Sequence, residues 1–145
     1  MSKLKFAVTL GLFVFLTPAL AQSLAEKEKY ASEEKAMAGR LKSTAEQCKK
    51  EIKVRFDWSS FSREDLLEKR RGPSGWCEEA FAALSDICWG SEAGLKAVQD
   101  SVNSVTCRQA TPRALSLKNG ELVFDIDFDA PNNFDAVRTF LKNNL

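Results

Sequence analysis

Apolar and polar side chains alternate in two stretches of the chain, and a period of two predicts β-strands with one buried face. The first stretch is residues 51–58, where every second side chain is apolar: Ile52, Val54, Phe56 and Trp58. The second is residues 115–128, where Asn119-Gly120 lies between two alternating runs. Asn-Gly favours a two-residue hairpin turn, which places Lys118 opposite Glu121.

Apolar side chains recur at spacings of three and four in most of the remaining chain, and this period predicts amphipathic helices. The predicted helices are residues 23–50, a short helix that Ser62 begins, residues 76–89, a helix that Ser91 caps, and a final helix that Asn132 or Asn133 caps. A third strand-like segment covers residues 104–108.

This order of elements predicts an α+β fold. We expect a small, mainly antiparallel sheet of about four strands, with an N-terminal and a C-terminal helix. Because the outward strand positions are polar, helices should cover only one face of the sheet.

The first 21 residues have the three-part layout of a secretory signal peptide. Lys3 and Lys5 precede an apolar run over residues 6–16, and Ala19-Leu20-Ala21 provides a cleavage site of small residues. The run is shorter than the roughly 20 residues of a membrane-spanning helix, so we expect cleavage after Ala21 and no transmembrane anchor afterwards.

Three segments follow from this layout. Residues 1–21 are the signal peptide, and residues 22–46 are a charged N-terminal helix, with a mobile segment as the alternative. Residues 47–145 are a single disulfide-stapled domain. The expected location is exported, either periplasmic or extracellular.

The four cysteines are Cys48, Cys77, Cys88 and Cys107, and an even number in an exported chain predicts two disulfides. Cys77 and Cys88 lie about 16 Å apart along one predicted helix, too far to pair. A tracing in which successive elements reverse direction favours Cys48 with Cys77 and Cys88 with Cys107.

Charge and composition exclude several functions. The chain has 21 Lys and Arg, 20 Asp and Glu and no His, a net charge of +1 that becomes −1 when Lys3 and Lys5 leave with the signal peptide. A balanced charge gives no support for nucleic-acid binding. Without His, the usual general base and the Ser-His and Cys-His nucleophiles are missing, so we expect no catalytic residues, no cofactor and no enzyme.

An alternating acidic row leaves one enzymatic alternative open. Asp125, Asp127 and Asp129 could serve a carboxylate-dependent hydrolase, but their alternation along a strand whose other face is the core favours a solvated row. They also have the first three spacings of a calcium loop, but Ala130 and Ala136 stand where its glycine and its bidentate glutamate belong. We therefore expect no metal site.

The candidate binding residues are the aromatic loop Trp58-Ser59-Ser60-Phe61 and the neighbouring cations Lys53 and Arg55. Exposed aromatic side chains anchor interfaces, and the two cations suit an anionic ligand or partner. Packing and a solvated surface are the structural alternatives. The sequence thus favours an exported, non-enzymatic module that binds a protein or cell-envelope partner. The alternatives are the hydrolase and an inhibitor of an extracellular enzyme.

Overall fold

The structure is a computed structural model that describes residues 23–145. The predicted signal peptide therefore lies outside the described residues. The described part contains five α-helices and four strands, in the order α1 (Leu24–Ala36), α2 (Ala38–Cys48), β1 (Lys53–Phe56), α3 (Pro73–Gly90), α4 (Glu92–Ser101), β2 (Ser104–Gln109), β3 (Leu115–Lys118), β4 (Glu121–Ile126) and α5 (Asn133–Asn144). A 3-10 turn at Trp58–Ser60 and a π-helical turn at Glu64–Glu68 connect β1 to α3. The predicted α+β class is confirmed.

The strands form one sheet in the order β1-β2-β4-β3. We expected a mainly antiparallel sheet, but β2 runs parallel to both β1 and β4, so the sheet is mixed. The reason is that α3 and α4 form a long crossover, which returns the chain to the sheet in the direction of β1. The hairpin of β3 and β4 has the predicted register, with Lys118 opposite Glu121.

The core lies between α3 and one face of the sheet. Fully buried side chains of α3, including Phe81 and Leu84, pack in one cluster with Val105 of β2 and Phe124 of β4. The apolar spacing of residues 76–89 predicted this helix, although α3 begins earlier, at Pro73. None of the helices within residues 23–145 is long and apolar enough to cross a bilayer.

The predicted helix over residues 23–50 is divided at Met37, which is fully buried. Both halves run alongside α3 in the same direction. Glu33 of α1 hydrogen-bonds Ser74, and Thr44 of α2 lies 2.9 Å from Ser85, and both pairs are 41 residues apart in sequence. This constant offset aligns α1 and α2 in parallel with α3.

The parallel alignment overturns the preferred cysteine pairing. The structure joins Cys48 to Cys88 and Cys77 to Cys107, with Cα atoms 5.1 and 6.0 Å apart. The predicted pairing was wrong because it let the core helix run in the direction of β1, whereas α3 runs opposite to it. Two disulfides are typical of proteins in an oxidising compartment outside the cytoplasm.

Glu33 caps α3 from a different helix. Gly72 precedes α3 and has no side chain to cap it, and the Glu33 carboxylate accepts from the backbone N–H of Ser74 at 2.9 Å and from its hydroxyl at 2.6 Å. Burial alone would raise the pKa of Glu33, but hydrogen bonds from Lys29 and Ser74 outweigh it and hold that pKa below its usual range. A carboxylate at this helix end is also favoured by the helix dipole.

The disulfides give a first test. A non-reducing peptide map should contain only the Cys48–Cys88 and Cys77–Cys107 links. Replacing both Cys48 and Cys88 by Ala should lower the free energy of unfolding by about 4 kcal/mol, because this bridge joins residues 40 apart and closes a long loop. Urea unfolding measures the loss. A link between Cys48 and Cys77 would contradict the parallel alignment of α2 and α3.

The buried carboxylate gives a second test. Since the folded pKa of Glu33 is lowered, its stabilisation is complete above the unfolded pKa of about 4.3 and is lost as pH falls through the folded pKa. Glu33→Gln should therefore cost about 1 to 3 kcal/mol at pH 7, and the difference from the natural protein should shrink below about pH 4. Urea unfolding at several pH values measures this.

A matched control comes from the same helix. Glu28 is exposed, so Glu28→Gln should change the free energy of unfolding by less than about 0.5 kcal/mol at every pH. Equal effects of the two substitutions would show that Glu33 does not cap α3.

Candidate functional site

Strand β1 forms a free edge of the sheet. Within residues 23–145 it pairs only with β2. The N–H of Lys53 donates to Asn103 O, just before β2, at 3.1 Å, and the N–H of Asp57 donates to Cys107 O of β2 at 3.0 Å. Because neighbouring residues of a strand point their backbone groups to opposite sides, Val54 and Phe56 direct theirs away from the sheet. The edge thus offers two N–H donors and two carbonyl acceptors.

The candidate cations lie on this edge. Lys53 and Arg55 are both exposed, on the face of the sheet that the helices leave open. Neither takes part in an ion pair with any of the residues that the structure describes, and the same holds for Lys42 of α2 nearby. Three cations near β1 therefore remain available to a ligand.

Two open grooves flank the strand and carry opposite charge. The groove at the start of β1 has a volume of about 680 Å³, and its charged lining residues are Lys42, Glu51, Lys53 and Arg55. The groove at the end of β1 has a volume of about 640 Å³, and its charged lining residues are Glu34, Arg55, Asp57 and Glu121. The first groove is basic and the second is acidic.

The aromatic loop after β1 is largely part of the core. The Trp58 ring stacks between Tyr30, at a centroid distance of 4.2 Å, and Phe56, at 4.7 Å, and its indole N–H donates to Glu34 Oε1 at 3.0 Å. Phe61 is only 7% exposed. The structure supports the packing alternative for these rings, because α1 supplies Tyr30 to cover the loop.

The two serines of the loop fix its shape. The exposed Ser59 donates to the carboxylate of Asp57 at 2.6 Å, and the Ser60 hydroxyl accepts from the backbone N–H of Gln109 at 2.9 Å. The Gln109 side chain in turn donates to Asp65 at 2.7 Å. Hydrogen bonds from Ser62 and Gln109 hold the pKa of Asp65 below its usual range, despite partial burial. This network holds the end of β1 in place.

The structure therefore places Lys53, Arg55 and part of Trp58 along β1. Ser59, Ser60 and Phe61 instead stabilise the loop, the two serines through hydrogen bonds and Phe61 through packing. Sequence reasoning missed Lys42 and Glu34, which line the two grooves from α2 and α1. No local pattern signals them, because they lie at least ten residues before β1 in the chain.

The acidic row does not form a carboxylate pair. Asp125 is 7% exposed, since Arg108 on the neighbouring strand lies opposite it and donates two hydrogen bonds to its carboxylate. The pKa of Arg108 is raised, first by its hydrogen bonds to Asp125 and second by the negative charge of that carboxylate. Asp129 points instead to Arg71, at 2.9 Å. No group of three or more potential metal ligands occurs within residues 23–145.

One exposed aromatic side chain lies at the far end of α3. Trp89 is 83% exposed and borders a groove of about 580 Å³ that Arg138 and Lys142 of α5 also line. Its neighbour Cys88 forms a disulfide, but the Trp89 ring itself is exposed. The helical period accounts for this, because Trp89 lies about 200° around the helix from the core residue Ile87.

Comparison with protein-family models, curated proteins and solved structures gives no match to this chain.

The contrast between the two tryptophans gives a third test. Trp58→Ala should lower the free energy of unfolding by about 2 kcal/mol, because it removes a half-buried ring stacked on two others. Trp89→Ala removes an exposed ring and should cost less than about 0.5 kcal/mol. Urea unfolding of both variants measures this, and similar losses would mean that Trp58 is not stacked.

Proposed function

We propose that this protein is an exported, non-enzymatic binding module that holds a protein partner at the edge of β1. The observation that carries the proposal is that, within residues 23–145, neither the outward backbone groups of Val54 and Phe56 nor the cations Lys53 and Arg55 have a partner. Backbone groups that lack a partner within the sheet are a ready template for pairing with another chain.

The rigidity of the edge supports binding. The bridge from Cys48 to Cys88 fixes the chain just before β1, and the Trp58 stack fixes it just after. A surface that is already ordered loses little conformational entropy on association, so more of the contact energy appears as affinity.

Export is supported by two independent features. Residues 1–21 have the layout of a signal peptide, and the two disulfides suit an oxidising compartment. Both features favour a partner in the periplasm, in the cell envelope or outside the cell.

The carboxylates favour binding over hydrolysis. A hydrolase of this kind needs one carboxylate desolvated with a raised pKa and another nearby. Asp125 is the buried acid of the open sheet face, and its carboxylate is held by Arg108. The arrangement of these carboxylates therefore supports a non-enzymatic module.

Site-specific photocrosslinking in the native host tests this proposal. The full chain would carry a photoreactive amino acid in place of Arg55 on the β1 edge, of Lys118 on the opposite β3 edge, or of Trp89. We expect one discrete crosslinked protein from position 55 only, with the product lost when Lys53→Glu is added.

The charge reversal leaves the fold intact, since Lys53 is exposed and unpaired, so its circular dichroism spectrum and Tm should match the natural protein. Equal products from all three positions, or no product from position 55, would overturn the assignment of the site to β1. A product from position 89 alone would move the site to the groove beside α5.

A further inference from the structure

We propose that the partner at this edge is an extended polypeptide segment that adds to the sheet as a fifth strand beside β1. This inference rests on the function proposed above and names the conformation and chemistry of what is bound. It follows from three features of the edge: its backbone spacing, its alternating side chains and its two groups of charges.

The backbone groups have the spacing that an extended chain requires. The backbone N–H and C=O groups of Val54 and Phe56 point outward from the sheet, and two residues of a strand span about 7 Å. An extended partner repeats its own N–H and C=O groups at the same interval. It can therefore satisfy all four outward groups of β1, which neither a helix nor a sugar can match.

The side chains of β1 set a different requirement for each face of the partner strand. Val54 and Phe56 are half-buried on the helix side of the sheet, while Lys53 and Arg55 are exposed on the open side. Side chains of an added strand alternate in the same way, so the partner needs apolar residues on the helix side and polar residues on the open side.

The charges of the grooves specify the polar residues of the partner. Lys42 and Lys53 lie at the start of β1 and favour an acidic residue, whereas Glu34 and Asp57 lie at its end and favour a basic one. Lys53 and Asp57 are four residues apart, about 13 Å along a strand. The partner segment should therefore carry an acid and a base about four residues apart.

A second copy of this protein would place two like charges opposite each other at the centre of the edge. If two β1 strands paired antiparallel with Val54 opposite Phe56 of the other copy, all four outward groups of each strand would be bonded. Arg55 would then lie opposite Arg55, although Lys53 would lie opposite Asp57. Like charges directly opposite each other on adjacent strands are destabilising. A separate chain avoids this central repulsion when it carries no cation opposite Arg55.

A selection from a library of displayed twelve-residue peptides, with the full mature protein as bait, tests the inference. We expect enriched peptides with alternating apolar residues and with an acid and a base about four positions apart. With Lys53→Glu as bait, the preference for the acid should be lost. Enriched peptides without alternation or without the charge pair would overturn the proposal, as would an empty selection.

The backbone contribution is tested by proline substitutions at the two sheet edges. Val54→Pro removes an outward N–H and leaves the bonds to β2 in place, and proline is tolerated on edge strands. It should weaken binding of the selected peptides about tenfold or more. Leu117→Pro is the matched control, because Leu117 also points its N–H outward from an edge strand, β3. The affinity of this variant for the selected peptides should be unchanged. Equal affinities of the two variants would overturn strand addition.

The two proposals fail in different ways. A specific crosslink from position 55, together with peptide binding that ignores Val54→Pro, would keep the β1 edge as a binding site but overturn the extended partner. A concentration-dependent dimer, seen by sedimentation and abolished by Val54→Pro, would make a second copy the occupant and would also overturn it. Loss of the position-55 crosslink would remove the proposed function itself.

Discussion

The two disulfides hold helix α3 at both ends, and the arrangement of the other elements depends on this. Cys88 near the end of α3 is joined to Cys48 at the end of α2, and Cys77 near its start is joined to Cys107 of β2. The first bridge, with the capping carboxylate of Glu33, keeps α1 and α2 parallel to α3. In the chain-entropy model each bridge contributes about 4 kcal/mol, a large part of the net stability of a domain this size. The direction of α3 is thereby fixed against the sheet.

The free edge of the sheet is a consequence of that direction. The crossover through α3 and α4 places β2 beside β1, and the hairpin then puts β4 on the other side of β2. Among the strands of residues 23–145, β1 is therefore at an edge of the sheet. Proteins commonly protect such edges by keeping them short and charged. Strand β1 is four residues long and carries Lys53 and Arg55. Arg55 disfavours antiparallel pairing of two identical edges, because it would face its own copy, and both cations suit the proposed partner of complementary charge.

Features set by local sequence were predictable, and features set by distant contacts were not. The Asn119-Gly120 turn fixed the hairpin register, and the alternation of residues 51–58 identified β1 and the exposed positions of its cations. The disulfide pairing failed because it depends on whether α3 runs with β1 or against it, and no local pattern encodes that choice. The partial burial of Trp58 depends on distant contacts in the same way. Its cover, Tyr30, comes from a helix 28 residues earlier in the chain, and only the folded arrangement brings the two rings together.

The shape of the proposed site suits a surface that receives a segment of a partner, and not one that inserts a loop into a partner. An inhibitor that blocks an enzyme usually presents a protruding loop to a cleft, but here the loop at Trp58–Phe61 is folded back onto α1 and held by Gln109. What remains accessible is an open strand edge between a basic and an acidic groove. Because both ends of β1 are fixed, most of the ordering on association falls on the partner. A flexible segment that becomes extended only when bound would thus bind with moderate affinity, and its charge spacing would determine which segments are accepted. The function we propose is therefore selective, reversible recognition of an exposed chain and not tight blockade of an enzyme.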